Sequence, residues 1–386
     1  MDFNNTEIAF SGKSNTDLKR SYWLFKIIGW NWLIKISPVL LKIFMPLWIP
    51  IPIIKGTIFK QFCGGESIDE CERTINQLST QNVKTILDYS VEGIEKESVF
   101  DENVIEALAA IEKAKNNNNI PFSVFKPTGF GRFKLLQKVN SKQSLTETEK
   151  EEYKRILDRI DKICSAGKST NTPIFIDAEE SWIQDAIDEI ALNMMRKYNM
   201  ENVIIYNTAQ MYRWDRMAYL NEIKTIAENE NFYLGIKLVR GAYIEKERAR
   251  AEKKGYKDPM QKTKENTDKD FNLALQFCIE NIDKISFCCA SHNEKSTLLL
   301  IKLMEKHNIS LTDKRIYFSQ LLGMSDHISM NMSKKGYNIA KYVPYGPVKD
   351  VTPYLIRRAQ ENTSVAGQTG RELSLILTEQ ARRKSL

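Results

Sequence analysis

The sequence predicts an α/β fold of the (β/α)8 barrel type, and three observations predict it. From residue 80 onward, eight short apolar runs alternate with long helical patterns. The runs are apolar on both faces, which marks strands covered on both sides, and the helices between them supply the crossovers that parallel strands require. Eight such units occupy about 280 residues, the size of an eight-stranded parallel barrel. An open doubly wound sheet is the rival. It favours a GxGxxG first turn, and the first turn here, DYSVEG, has none.

The expected strands, in order, are TILDYS (85–90), PFSVFK (121–126), PIFID (173–177), VIIYN (203–207), LGIKLV (234–239), ISFCCA (285–290), RIYFS (315–319) and AKYVP (340–344). Helical periodicity is clearest in EKEEYKRILDRIDKIC (149–164) and NLALQFCIENI (272–282), which place apolar residues on one face. Ahead of the barrel, residues 21–62 are rich in Trp, Phe and Ile with lysines spaced among them. Lys35 and Lys42 interrupt the apolar character, and Pro38, Pro46, Pro50 and Pro52 are expected to break helices. No apolar stretch there reaches the roughly 18 to 20 residues of a spanning helix. The composition suits an element lying on a membrane surface, and equally a helical arm packed on the main domain. The expected organisation is a helical arm at 1–80, a catalytic barrel at 81–375 and a basic tail at 376–386.

Bulk composition excludes little. The 386 residues are 42% hydrophobic and 27% charged, and the formal charge of +7 is spread along the chain. Such mild basicity does not indicate nucleic acid. Six cysteines (Cys63, Cys71, Cys164, Cys278, Cys288, Cys289) lack CxxC spacing, and the three histidines lack metal-ligand partners, so reduced buried thiols and no metal centre are expected. The polar first twenty residues predict no secretory leader.

A barrel of this type carries its active site at the C-terminal ends of its strands. Those ends hold Lys126, Asp177, Gln210, Lys237 with Arg240, His292, Gln320 and Tyr342, a set better explained as a lined pocket than as eight independent rim groups. Near the C-terminus, Tyr354, Arg357, Arg358 and Glu361 fall at i, i+3, i+4 and i+7, one face of a helix. Two guanidinium forks there suit a small carboxylate; a solvated charged face is the alternative.

The motifs FKQFCGGES (59–67), IDAEE (176–180), KLVRGAYIEKER (237–248), ASHNEKS (290–296), YFSQLLGM (317–324), KYVPYGPV (341–348) and YLIRRAQENTS (354–364), taken in order, resemble proline dehydrogenase, in its monofunctional form found in mitochondria and some bacteria. The resemblance covers roughly residues 55–370. It implies a distorted (β/α)8 barrel that binds FAD, with the last helix over the barrel mouth, and oxidation of L-proline to 1-pyrroline-5-carboxylate by hydride transfer to the flavin. Electrons then pass to a membrane quinone. By the same resemblance Lys126, Arg357 and Arg358 hold the substrate carboxylate; Tyr342, Tyr354 and Leu322 wall the ring; and Glu361 balances the cations. Asp177 and Lys237 are the catalytic pair of expectations, Asp177 orienting Lys126 and Lys237 facing the flavin. Many bacterial relatives carry Arg at the latter position, so the charge is kept and the planar fork lost. Ala178, Gln210, Val239, Arg240, Gly241, Ala242, Ser291 and His292 match the family's cofactor contacts. Gly241 is expected to let backbone approach the cofactor closely.

The alternatives are a hydroxyproline dehydrogenase, disfavoured by the bulk of Tyr342, and a non-catalytic barrel scaffold. The sequence after the last motif leaves no room for a fused aldehyde dehydrogenase domain, so the product is expected to pass to a separate pyrroline-5-carboxylate dehydrogenase. The expected location is cytoplasmic and peripheral to the inner membrane in a bacterium, or the matrix side of the mitochondrial inner membrane in a eukaryote.

Overall fold

The computed structural model describes residues 1–29, 51–91, 93, 95–364 and 368–385, with the side chains of 359–369 outside the description. Eight strands follow one another in sequence order as a closed barrel: β1 (Lys84–Tyr89), β2 (Phe122–Phe125), β3 (Ile174–Ile176), β4 (Ile205–Gln210), β5 (Leu234–Val239), β6 (Ile285–Ala290), β7 (Ile316–Leu321) and β8 (Ile339–Tyr345). The expected barrel is therefore present. Strands β5 and β6 have the bounds read from the sequence. Strand β4 instead begins two residues later and runs three further, through polar Thr208 and Gln210. Hydrogen bonds explain the extension. Thr208 Oγ1 donates to the Ile176 carbonyl at 2.8 Å, and Asn207 Nδ2 donates to Asp188 and to the Tyr219 hydroxyl, both at 2.8 Å. Polar side chains are tolerated inside a strand once buried partners satisfy them.

The chain divides into two compact units, residues 93–319 and residues 1–92 with 320–386. The first holds β2 to β6 and most of β7. Its helices are α1 (Glu97–Ala114), α2 (Phe133–Asn140), α3 (Glu147–Thr170), α4 (Ser181–Tyr198), α5 (Arg216–Glu230), α6 (Ile244–Lys254), α7 (Lys264–Glu280) and α8 (Glu294–Lys306). Helix α3 begins where a capping box can form: Thr146 and Glu149 each accept the other's backbone N–H. It ends at Asn171, whose φ of 53° is the left-handed stop that Asn tolerates.

The strands of this unit bury an aromatic layer. Phe122 stacks on Phe175 at 4.3 Å between centroids, and both meet the edge of Tyr206, at 5.5 and 5.2 Å. Tyr317 closes on Phe122 at 4.8 Å. Such offset and edge contacts add to the area these rings bury. Gly235 of β5 makes the layer possible: a Cβ there would stand 2.3 Å from the Ile205 carbonyl oxygen and 2.7 Å from the Tyr206 ring.

In the second unit, β1 and β8 pair in parallel from Lys84 opposite Ala340 to Tyr89 opposite Tyr345. Its helices are α9 (Asn15–Ile28), α10 (Ile68–Ser79), α11 (Asp326–Lys334), α12 (Val348–Ser364) and α13 (Gln368–Lys384). Leu18, Phe25, Phe59, Phe62, Val351, Tyr354, Leu355 and Ile376 share one apolar cluster, so the N-terminal segment packs on α12 and α13. Residues 376–384, read from sequence as a basic tail, continue helix α13. There Arg383 bonds Glu379 at 2.7 Å and donates to the carbonyls of Phe10 and Lys13, both at 2.8 Å. Lys13 and Lys341 grip the two oxygens of buried Asp326 at 2.7 and 2.9 Å. Burial pushes the Asp326 carboxyl up, and the two ammonium groups more than reverse this, leaving it well below the usual range. Pro52, expected to break a helix, lies within the helical segment Ile51–Ile54. Lys35, Lys42, Pro38, Pro46 and Pro50 lie outside the described residues. All six cysteines are free and buried.

Candidate active site

Within residues 93–319, the ends of β2 to β6 carry most of the expected site. Lys237 projects from β5 with its side chain 5% exposed, and its ammonium is bonded to the Asp177 carboxylate just past β3. The same nitrogen stands 5.3 Å from the centroid of the Phe175 ring. A buried cation thus has a counter-ion on one side and a π face on another, which offsets the loss of its hydration. The ion pair gives Asp177 a partner, Lys237, that the sequence does not signal.

Arg240, at the end of β5, turns toward the helices. It donates to Asp268 of α7 at 2.7 Å, to Ser291 Oγ at 2.7 Å and to Ser296 Oγ of α8 at 2.9 Å, with its guanidinium 4.3 Å from the Phe271 ring. This fixes the loop that follows, whose residues Arg240, Gly241 and Ala242 are half-buried or exposed. Gly241 has φ of 132°, and a Cβ would fall 2.5 Å from the Tyr212 ring. The protein's own packing therefore requires glycine here, a reason distinct from the one read in the sequence. Val239 is half-buried beside Gln210, its register partner on β4. Ser291 is buried and also accepts from the Asn293 N–H at 3.1 Å; His292 beside it is half-buried.

The loop after β3 is held from several sides. Gln210 donates from Nε2 to the Glu179 carbonyl at 2.7 Å, and the Glu179 N–H donates to Gln184 Oε1 at 2.8 Å. Gln184 in turn donates to Asp188 at 2.8 Å, and Asp188 accepts from Arg216 at 2.7 Å. The Glu179 carboxyl reaches across to Thr128, in the turn that follows Lys126, accepting from its N–H at 3.0 Å and pairing with its hydroxyl at 2.5 Å. Burial raises this carboxyl to about 8, aided by the neighbouring Glu180 charge and opposed by the Thr128 bonds and by Lys126. Glu180 is itself paired with Lys246. The sequence alone assigns no role to Glu179, Thr128 or Gln184. The one signal present was a doubled glutamate directly after a strand end.

Residues 1–92 and 320–386 carry the remaining expected residues. Leu322 is half-buried and its N–H donates to the Tyr342 carbonyl at 2.8 Å; Tyr342 is buried. Gln320, expected to line a pocket, is buried and its Oε1 accepts from Ser329 of α11 at 2.7 Å. On α12, Tyr354 is buried in the apolar cluster and the Arg358 guanidinium lies 5.1 Å from its ring centroid. The i, i+4 spacing read from the sequence produces this stacking. Arg358 is buried and Arg357 half-buried, while the Glu361 side chain lies outside the described residues.

Residues 71–371 match the family model described as proline dehydrogenase. The chain belongs to the proline dehydrogenase family. A relative from Dictyostelium discoideum, proline dehydrogenase 1, mitochondrial, is 33% identical over 98% of this chain and 74% of its own length. Another relative, the carbapenem antibiotics biosynthesis protein CarD of Pectobacterium carotovorum subsp. carotovorum, is 32% identical, with 83% of each chain covered. Among solved structures, proline utilization A from Bdellovibrio bacteriovorus, inactivated by N-propargylglycine, superposes with a TM-score of 0.74 at 20% identity. That match covers 93% of this chain and 38% of the larger protein, and it shows the barrel of the proline dehydrogenase fold.

Proposed function

We propose that this chain oxidises L-proline to 1-pyrroline-5-carboxylate, the first step of proline catabolism, with FAD as its cofactor. The observation that carries the reading is family membership across residues 71–371, a span that includes every expected site residue from Lys126 to Glu361. The residues present fit a flavin. Lys237 brings a buried ammonium to β5, where negative charge on a reduced ring would be stabilised, and the partly exposed residues Val239 to Ala242 follow it. Bound FAD supplies the hydride acceptor. The chain's own groups bind and orient: Asp177 holds Lys237 in place, and Lys126, Arg357 and Arg358 offer cations to the proline carboxylate. Tyr342, Tyr354 and Leu322 supply apolar surface for the ring, with Glu361 balancing the arginines, and Ala178, Gln210, Arg240, Ser291 and His292 complete the cofactor contacts.

The test is direct. Purified protein should be yellow, and anaerobic L-proline should bleach its flavin absorbance, with a soluble quinone restoring it. Colourless protein that stays so after FAD addition would remove the reading, and faster bleaching by 4-hydroxyproline would redirect it.

A membrane quinone as electron acceptor, and a separate pyrroline-5-carboxylate dehydrogenase to take the product, follow from the same reading. So does a location peripheral to the inner membrane in a bacterium, or on the matrix side of the mitochondrial inner membrane. Among the described residues no helix is long and apolar enough to cross a membrane. Surface contact is supported by Trp23 and Ile53, 56% and 67% exposed, and by Lys26 lying 4.9 Å from the Trp23 ring centroid. Trp23→Ser combined with Ile53→Ser is expected to weaken flotation with anionic liposomes by about thirtyfold, since each buries apolar area worth roughly 1 kcal/mol in the interface. Unchanged flotation would move the contact elsewhere.

A further inference from the structure

We infer that Glu179 is a positioning residue for this reaction, a clasp that fixes the loops after β2, β3 and β4 to one another and so sets where Lys126 and Asp177 stand. The inference rests on the proposed oxidation of proline for its functional consequence, and on geometry for the clasp itself.

Each polar group of Glu179 serves a different loop. The carboxyl takes both the N–H and the hydroxyl of Thr128, two residues beyond Lys126. The carbonyl takes the amide of Gln210 from the end of β4. The N–H goes to Gln184, which is bonded to Asp188 and through it to Arg216. Glu179 is only 4% exposed and lies two residues after Asp177. The strands themselves are held by their backbone pairing, and Glu179 extends that connection with side-chain bonds into the loops beyond the paired residues. Lys126 is proposed to hold the substrate carboxylate, so a shift in its position weakens substrate binding without Glu179 touching the substrate.

The two protonation states hold the clasp in different ways. Protonated, the carboxyl donates to Thr128 Oγ1 and accepts from its N–H; ionised, it accepts both. Burial and the adjacent Glu180, itself paired with Lys246, favour the protonated form, and Lys126 opposes them. Glutamine reproduces the protonated pattern, its amide donating to the hydroxyl and its carbonyl oxygen accepting from the N–H.

The experiment compares full-length Glu179→Gln, Glu179→Ala and Thr128→Val with wild type in two assays. In proline turnover, Glu179→Ala and Thr128→Val should raise KM about tenfold with kcat within about threefold, the pattern of lost ground-state positioning, and Glu179→Gln should restore wild-type KM. Unchanged KM in Glu179→Ala and Thr128→Val, or a defect in Glu179→Gln equal to that in Glu179→Ala, would overturn the clasp. Urea unfolding against pH needs no substrate. A carboxyl that holds its proton more tightly when folded stabilises the protein most at low pH and loses that contribution as pH rises from the usual carboxylate range to about 8. Glu179→Gln should remove this part of the slope, and an identical slope would also overturn the clasp. Wild-type protein indifferent to proline would sink the functional reading alone, because the unfolding assay still decides the clasp.

Discussion

Lys237→Met is expected to lower proline-driven flavin reduction by at least about a hundredfold, the scale seen when one preorganised charge is removed from an active site. It should also destabilise the fold by about 3 kcal/mol, because breaking a buried pair leaves a carboxylate whose desolvation is no longer offset. Lys237 and Asp177 are bonded with side chains 5% and 14% exposed, so solvent screens the pair weakly. The two effects separate in a double variant. Asp177→Asn added to Lys237→Met removes the stranded charge, so more than half of the lost stability should return, as read by urea unfolding, while flavin reduction stays low. Stabilities of the two single variants that simply add would mean the residues do not interact. Lys237→Arg keeps the charge and should retain most of the stability.

The second large effect lies beneath the first. Phe175→Ala removes a ring that stacks on Phe122, meets Tyr206 and underlies the Lys237 ammonium. Phe175 is fully buried, and truncations of this kind cost about 3 to 5 kcal/mol. Phe175→Leu fills much of the cavity and should lose about half as much. Thermal unfolding of the three proteins checks the order. The leucine variant should also keep flavin reduction nearer wild type than the alanine variant, since the side chain under Lys237 is only partly removed. Equal losses in the two variants would show that cavity volume is not what this layer is sensitive to.

How far the sequence disclosed these features depended on whether the signal was local. Alternating strands and helices are local, and the barrel followed from them. Strand β4 outran its apolar run because Asn207 and Thr208 found partners on β3, α4 and α5, which no window around β4 contains. Arg240 and Gln320 were both read as pocket residues from their places at strand ends, while the partners their side chains bond, on α7, α8 and α11, are far away in sequence and were not legible. Tyr354 and Arg358 were legible as neighbours because i, i+4 spacing is a property of the helix itself. Glu179 escaped notice because its partner Thr128 lies 51 residues away in sequence. Gly241 was read as letting the backbone approach a cofactor; the ring that a Cβ there would strike belongs to Tyr212, which no local signal names.

The pairing of β1 with β8 has a consequence for how the protein is made. Lys84 sits opposite Ala340, so the first strand emerges from the ribosome about 250 residues before its partner, a delay of roughly 13 to 50 s at ordinary elongation rates. Through that interval β1 is an apolar strand with an open edge, the kind of segment that invites pairing with other chains. Helix α10 and the N-terminal segment are already synthesised by then and are available to shield it, whereas α12 and α13 are not. Nascent chains halted before residue 339 are therefore the species most in need of a chaperone.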